Sequence, residues 1–114
     1  DKMFIAQGSE KGFGVPYAYG INDQVLASNK QSFIQVVSCN THNIACIVNN
    51  LHALCGVNGG DFVCIRRAND LSQDEDFIAS PHVSSHNCKN GTHHAKDVAD
   101  LFATRDVIFK NSLH

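Results

Sequence analysis

Histidine and cysteine are the residue types in this chain best suited to chemistry. Their densest gathering is His82, His86, Cys88, His93 and His94. Imidazole and thiolate are the usual zinc ligands. A small metal-dependent hydrolase or nuclease built on His82, His86, His93 and His94 is therefore one expectation. Several features oppose it. Pro81 and the Val83-Ser84-Ser85 run argue against a helix there, so the four-residue spacing does not place His82 and His86 on one face. His93 and His94 are adjacent and point in different directions. Ligand type without ligand geometry is weak support for a metal. The plainer reading is a histidine-containing loop whose charge changes between about pH 5 and 8.

Other chemistries fare less well. His86-Asn87 followed by His93 or His94 invites an HNH-like nuclease reading. The formal net charge is -2 and Arg66-Arg67 is the one close basic pair, so no surface for tracking phosphates is expected and no nucleic-acid partner with it. Cys46 and His42 sit i and i+4 on one helix face, where an imidazolium would favour the thiolate. They lie mid-helix, where no oxyanion donors converge, so a nucleophilic role is not expected. The acidic run Asn69 to Asp76 lacks the glycine and closing glutamate of an EF-hand loop and reads as a solvated turn. Arg66, Arg67 and Arg105 read as ordinary surface charge. The prediction is no catalytic residues and no cofactor.

The stretch Cys39 to Cys64 organises the fold, with four of the five cysteines. Asn43 to Cys55 fits an amphipathic helix with Ile44, Ile47, Val48, Leu51, Leu54 and Cys55 on its core face. Thr41 or Asn40 would cap its start and Gly56 would end it. Cys46 falls about half a turn away from that face. Phe62 to Arg66 reads as a strand. Earlier in the chain, Met3 to Ala6 reads as an edge strand. Phe13 to Tyr19 is confined by Pro16 to an edge or extended segment, and its Phe13, Tyr17 and Tyr19 suit an interaction edge. Asn22 caps a short helix over Asp23 to Asn29, and Phe33 to Ser38 is the best strand. Later, Phe77 to Val83 includes a strand, Thr92 caps a helix with Ala95, Val98, Ala99 and Phe102 inward, and Val107 to Phe109 closes the chain as a strand. The links look too short and the strands too Pro-interrupted for regular parallel units. These elements predict a single α+β domain over 1–114, with a small antiparallel sheet, two or three helices packed on it, and disulfide staples.

The compartment is read from composition. The chain opens on Asp1-Lys2 without methionine, which suits a processed secreted protein. Five cysteines in 114 residues suit an oxidising compartment. Asn90-Gly91-Thr92 is a glycosylation sequon at Asn90. Cys39, Cys46, Cys55, Cys64 and Cys88 are the disulfide candidates, with Cys39, Cys55 and Cys64 on the core side. The pairing is open from spacing alone. Cys46 or Cys88 is the expected odd thiol, and an interchain bridge from it would give a homodimer. No apolar run reaches the length that spans a bilayer.

A short cysteine-containing α+β pattern without a catalytic motif resembles the small secreted effectors of plant-pathogenic fungi, the avirulence and secreted-in-xylem type. The resemblance is one of class and rests on Cys39, Cys46, Cys55, Cys64 and Cys88. It implies a secreted virulence protein without enzymatic activity, acting by protein–protein interaction with a host target or a co-secreted partner.

Overall fold

A computed structural model describes residues 2–8, 12–27, 30–65, 92–109 and 113–114. Strands β1 (Phe4–Gln7), β2 (Val15–Tyr17) and β3 (Phe33–Val36) form one sheet. Helices α1 (Gln24–Ala27), α2 (Cys39–Cys55) and α3 (His93–Ala103) complete the elements among the described residues. The α+β composition is as anticipated. The sheet direction is not: β3 lies between β1 and β2, and both pairings are parallel.

The parallel arrangement has a local cause. The chain leaves β1 at Gln7 and re-enters the sheet at Val15, on the far side of β3. It must only step back from the level of Val36 to that of Ile34, so few residues are needed between the two strands. Gly14 makes the return tight enough, because a Cβ there would collide with the Phe33 carbonyl. Pro16 sits in β2, at an edge of the sheet, where a missing N–H costs least.

Ser38 caps α2, its hydroxyl accepting from the Thr41 N–H at 3.4 Å, so the helix starts earlier than the Thr41 or Asn40 cap predicts. Its end is well determined. Gly56 takes a positive φ of 73° and donates its N–H to the His52 carbonyl, while His52 Nδ1 accepts from the Val57 N–H. α3 begins at the expected Thr92 cap and buries Ala95, Val98, Leu101 and Phe102.

The core joins α2, α3 and the ends of β2 and β3 through Ala18, Val37, Ala45, Val48, Val98 and Phe102. α2 contributes Thr41, Ala45 and Val48 to it. Val48 is buried and Ile44 packs against the core as expected, but Ile47, Leu51, Leu54 and Cys55 are exposed, so the helix is rotated by part of a turn from the expected orientation. Thr41 and Ala45 are small and sit with Val48 on the side that meets α3, whereas Ile47, Leu51 and Leu54 lie outside it.

Two expected strands are not formed. Phe62 to Ile65 has no strand pairing, although Gly60 bridges Leu113 and Phe62 N donates to the His114 carbonyl at 2.7 Å. Residues 107–109 follow a turn after α3 and pair with no strand. The strand expected in 77–83 and the acidic run 69–76 lie outside the described residues. No helix among the described residues is long and apolar enough to cross a membrane.

Candidate functional site

Two places have the makings of a site. The first gathers around the start of α3. His93 and His94 are the first residues of the helix, and Asp97 follows one turn on. Each of the three offers a ligand atom, and these atoms lie within 4.8 Å of one another. The adjacent imidazoles do not diverge: their ring centroids are 3.9 Å apart with planes tilted 42°. Ser38 Oγ and Thr41 Oγ1 approach His94 Nδ1 at 3.4 and 3.3 Å. Thr41 is fully buried, so this contact ties the ring to the α2 N-terminus.

Beside the cluster is a cavity of about 280 Å³ over the sheet, between Gly8, Gly12 and Gly14 on one side and α3 on the other. Asp97 and Ser38 line it together with Gln35, Lys96 and Asp100. Lys96 and Asp100 pair at 2.8 Å. That hydrogen bond and the Asp100 charge hold the Lys96 ammonium above its ordinary range, with a smaller push from Asp97.

Asp97 is not among the ligands that a loop cluster of histidines suggests. The predicted α3 already placed Asp97 at i+4 from His93, a spacing that shares a helix face. His82, His86, Cys88 and the Asn90 sequon lie outside the described residues, as do Arg66 and Arg67.

The second place is the outer face of α2. Ile47 and Leu51 are about half exposed and Leu54 is 82 % exposed. Their i, i+4, i+7 spacing sets them in one line. Cys55 stands exposed beside Leu51 and Leu54. The helix contains none of the chain's Lys, Arg, Asp or Glu residues.

His42, Arg105, Phe13 and Tyr17 have structural partners. His42 Nε2 donates to the Tyr19 carbonyl at 3.2 Å, so its proton is engaged away from Cys46. Arg105 donates to Asn49 Oδ1 at 2.7 Å and its guanidinium lies over the Phe102 ring. Phe13 packs edge-on against Phe33, and Tyr17 donates to Asp23 Oδ1 at 3.0 Å. Tyr19 is exposed. Cys39, Cys46, Cys55 and Cys64 are all exposed and free, so the expected core-side staple of Cys39, Cys55 and Cys64 is not formed among the described residues. Cys55 is the last residue of α2 and is exposed there, its Sγ donating to the Leu51 carbonyl at 3.2 Å.

No family model, curated protein or solved structure matches this chain.

Proposed function

We propose that this chain is a non-enzymatic binding protein that recognises a protein partner through the outer face of α2. One observation carries the reading. A 17-residue helix without a single Lys, Arg, Asp or Glu turns Ile47, Leu51 and Leu54 to solvent. A helix apolar on both sides needs a second surface to cover it. Depletion of charge is the compositional mark of an interface centre. Three anchors at i, i+4 and i+7 fit a partner that presents an apolar groove to a helix.

The cysteines support the same role in an extracellular setting. Exposed thiols at Cys39, Cys46, Cys55 and Cys64 would be open to bridging with another chain in an oxidising compartment. Cys55, at the end of the apolar line, is well placed to lock a docked partner or a second copy of this chain. A host-facing or co-secreted partner is the reading that the effector resemblance adds.

The test compares the native chain with the Ile47→Lys/Leu54→Lys variant in chemical cross-linking and pull-down from the secreted proteins of its source. Helix content is checked first by circular dichroism. Proteins held by the native chain and lost by the folded variant support α2 as the binding face. The same proteins held equally by both would sink it. A native dimer that the variant converts to monomer would make the partner a second copy.

A further inference from the structure

We infer that His93, His94 and Asp97 form a divalent transition-metal site at the rim of the sheet cavity. Three features converge. The side chains supply two imidazoles and one carboxylate, a donor set suited to Zn²⁺, Co²⁺ or Fe²⁺. Their ligand atoms already lie within 4.8 Å of one another, close enough to share one ion after small rotamer changes. His94 is also held from behind, with its Nδ1 against the hydroxyls of Ser38 and Thr41. Such an outer hydrogen bond orients a ligating histidine and tunes its basicity.

The position of the cavity gives the site its character. Asp97 and Ser38 line it, so an ion bound to Asp97 would have solvent and cavity space on one side. Three protein ligands with an open side are the pattern of a site that accepts a water or an anionic group of a bound molecule. Two forces work against the ion. The N-terminal end of α3 carries partial positive charge, and the Lys96 ammonium lies nearby. Asp97 offsets the first, and Asp100 holds Lys96 at 2.8 Å. The site should therefore bind more weakly than a closed four-ligand zinc centre.

The experiment uses the full chain kept reduced, with Zn²⁺ alone in calorimetry and Co²⁺ alone in visible absorption. Asp97→Asn and His93→Gln are the variants, since each keeps the size of its side chain and neither residue is in the core. The expected result is one equivalent of metal for the native chain and at least about 10-fold weaker binding for each variant. Circular dichroism should report unchanged helix content. A Zn²⁺-induced rise in melting temperature should be present in the native chain and absent from both variants. The inference is overturned by no binding, by binding that both folded variants retain, or by a thiolate-to-cobalt charge-transfer band, which would move the ion to the cysteines. If a variant unfolds, the proton resonances of the native His93 and His94 rings decide instead. They should shift with stoichiometric Zn²⁺, and an unshifted spectrum rejects the site.

Discussion

Asn22 and Thr104 stand 82 residues apart in the chain and meet at 2.9 Å, the amide Nδ2 of Asn22 donating to Oγ1 of Thr104. Asn22 is fully buried. Its Nδ2 also donates to the Pro16 carbonyl at 2.9 Å, and its Oδ1 accepts from the Ala18 N–H at 3.0 Å. Thr104 passes its own proton to the Leu101 carbonyl. One amide therefore fastens the end of the edge strand β2 to the C-terminal turn of α3. An N-cap role for Asn22 was the sequence expectation, and the side chain instead turns inward to serve this network.

Asn22→Leu should be costly for that reason. It leaves the Ala18 N–H and the Pro16 carbonyl without this partner and removes the hydrogen bond that the Thr104 hydroxyl accepts. Each unsatisfied buried group costs about 1–3 kcal/mol, with strong coupling among the three. A loss of about 2 kcal/mol or more is expected in urea denaturation. Thr104→Val should lose about 1 kcal/mol, since one donated and one accepted hydrogen bond disappear. Wild-type stability in Asn22→Leu would show that the network is not what joins β2 to α3.

The two main helices were not equally legible. α3 has a clear polar side, with Lys96 and Asp100 opposite Ala95, Val98 and Phe102, so most of its buried stripe and its Thr92 cap are legible, although Leu101 is buried where Ala99 is expected to be and Ala99 is only partly buried. In α2 the apolar residues occupy most of the circumference and no charge marks the outside. Periodicity then picks the stripe of largest aliphatic residues, whereas the structure keeps only Val48 of that stripe buried and adds the small Thr41 and Ala45. The parallel sheet was hidden for a different reason. A return from β1 to β2 this short is unusual, and it depends on a backbone approach at Gly14 that no hydrophobic pattern records. His93 and His94 were visible as candidate ligands, but their geometry with Asp97 depends on the first turn of α3.

Substitutions on the two sides of the helical layer should separate binding from stability. Phe102 is buried and packs edge-on against Phe109 at 5.5 Å, so Phe102→Ala should cost about 3–5 kcal/mol. Leu54→Lys removes an exposed side chain and should change stability by no more than about 0.5 kcal/mol. Thermal or urea denaturation of the two variants measures this contrast. A large loss in Leu54→Lys would mean that the outer face of α2 is already packed.

Gly14→Ala should be among the most damaging of the glycine substitutions. The methyl group meets backbone atoms of Phe33 and Ile34 rather than a side chain that can swing aside. Overpacking of this kind costs about 1–3 kcal/mol. It should also loosen the β2–β3 pairing, read as faster amide exchange at Val37, whose N–H is bonded to the Tyr17 carbonyl at 3.0 Å. Unchanged exchange there would separate the Gly14 approach from strand pairing.

Cys39, Cys46, Cys55 and Cys64 should all react with an alkylating reagent in the folded, non-denatured chain, because each is a free cysteine at an exposed position. Peptide mapping by mass spectrometry assigns the label site by site. A native chain in which any two of these four are joined would contradict the arrangement described. A bridge from one of them to a second chain would instead support covalent docking.

Tyr17 gives the fold a dependence on alkaline pH. Partial burial holds its phenol above the ordinary range, and the hydrogen bond to Asp23 Oδ1, with the charge of that carboxylate, pushes the same way. The folded chain thus favours the protonated phenol more than the unfolded chain does. Its contribution is complete below an ordinary phenol pKa of about 10 and is lost as pH rises through the folded-state value. Lys96 has the same sign, since its raised pKa also favours the protonated form, but its pair with Asp100 is solvent-exposed and contributes little. Stability should therefore fall above about pH 10. The fall should be shallower in Tyr17→Phe, which has no proton to lose. In a tyrosinate absorbance titration one phenol should ionise above the ordinary range. Asp23→Asn should move it only part of the way back, because burial remains when the charge is gone. A phenol that returns fully to the ordinary range in Asp23→Asn would make the carboxylate, and not burial, the principal cause.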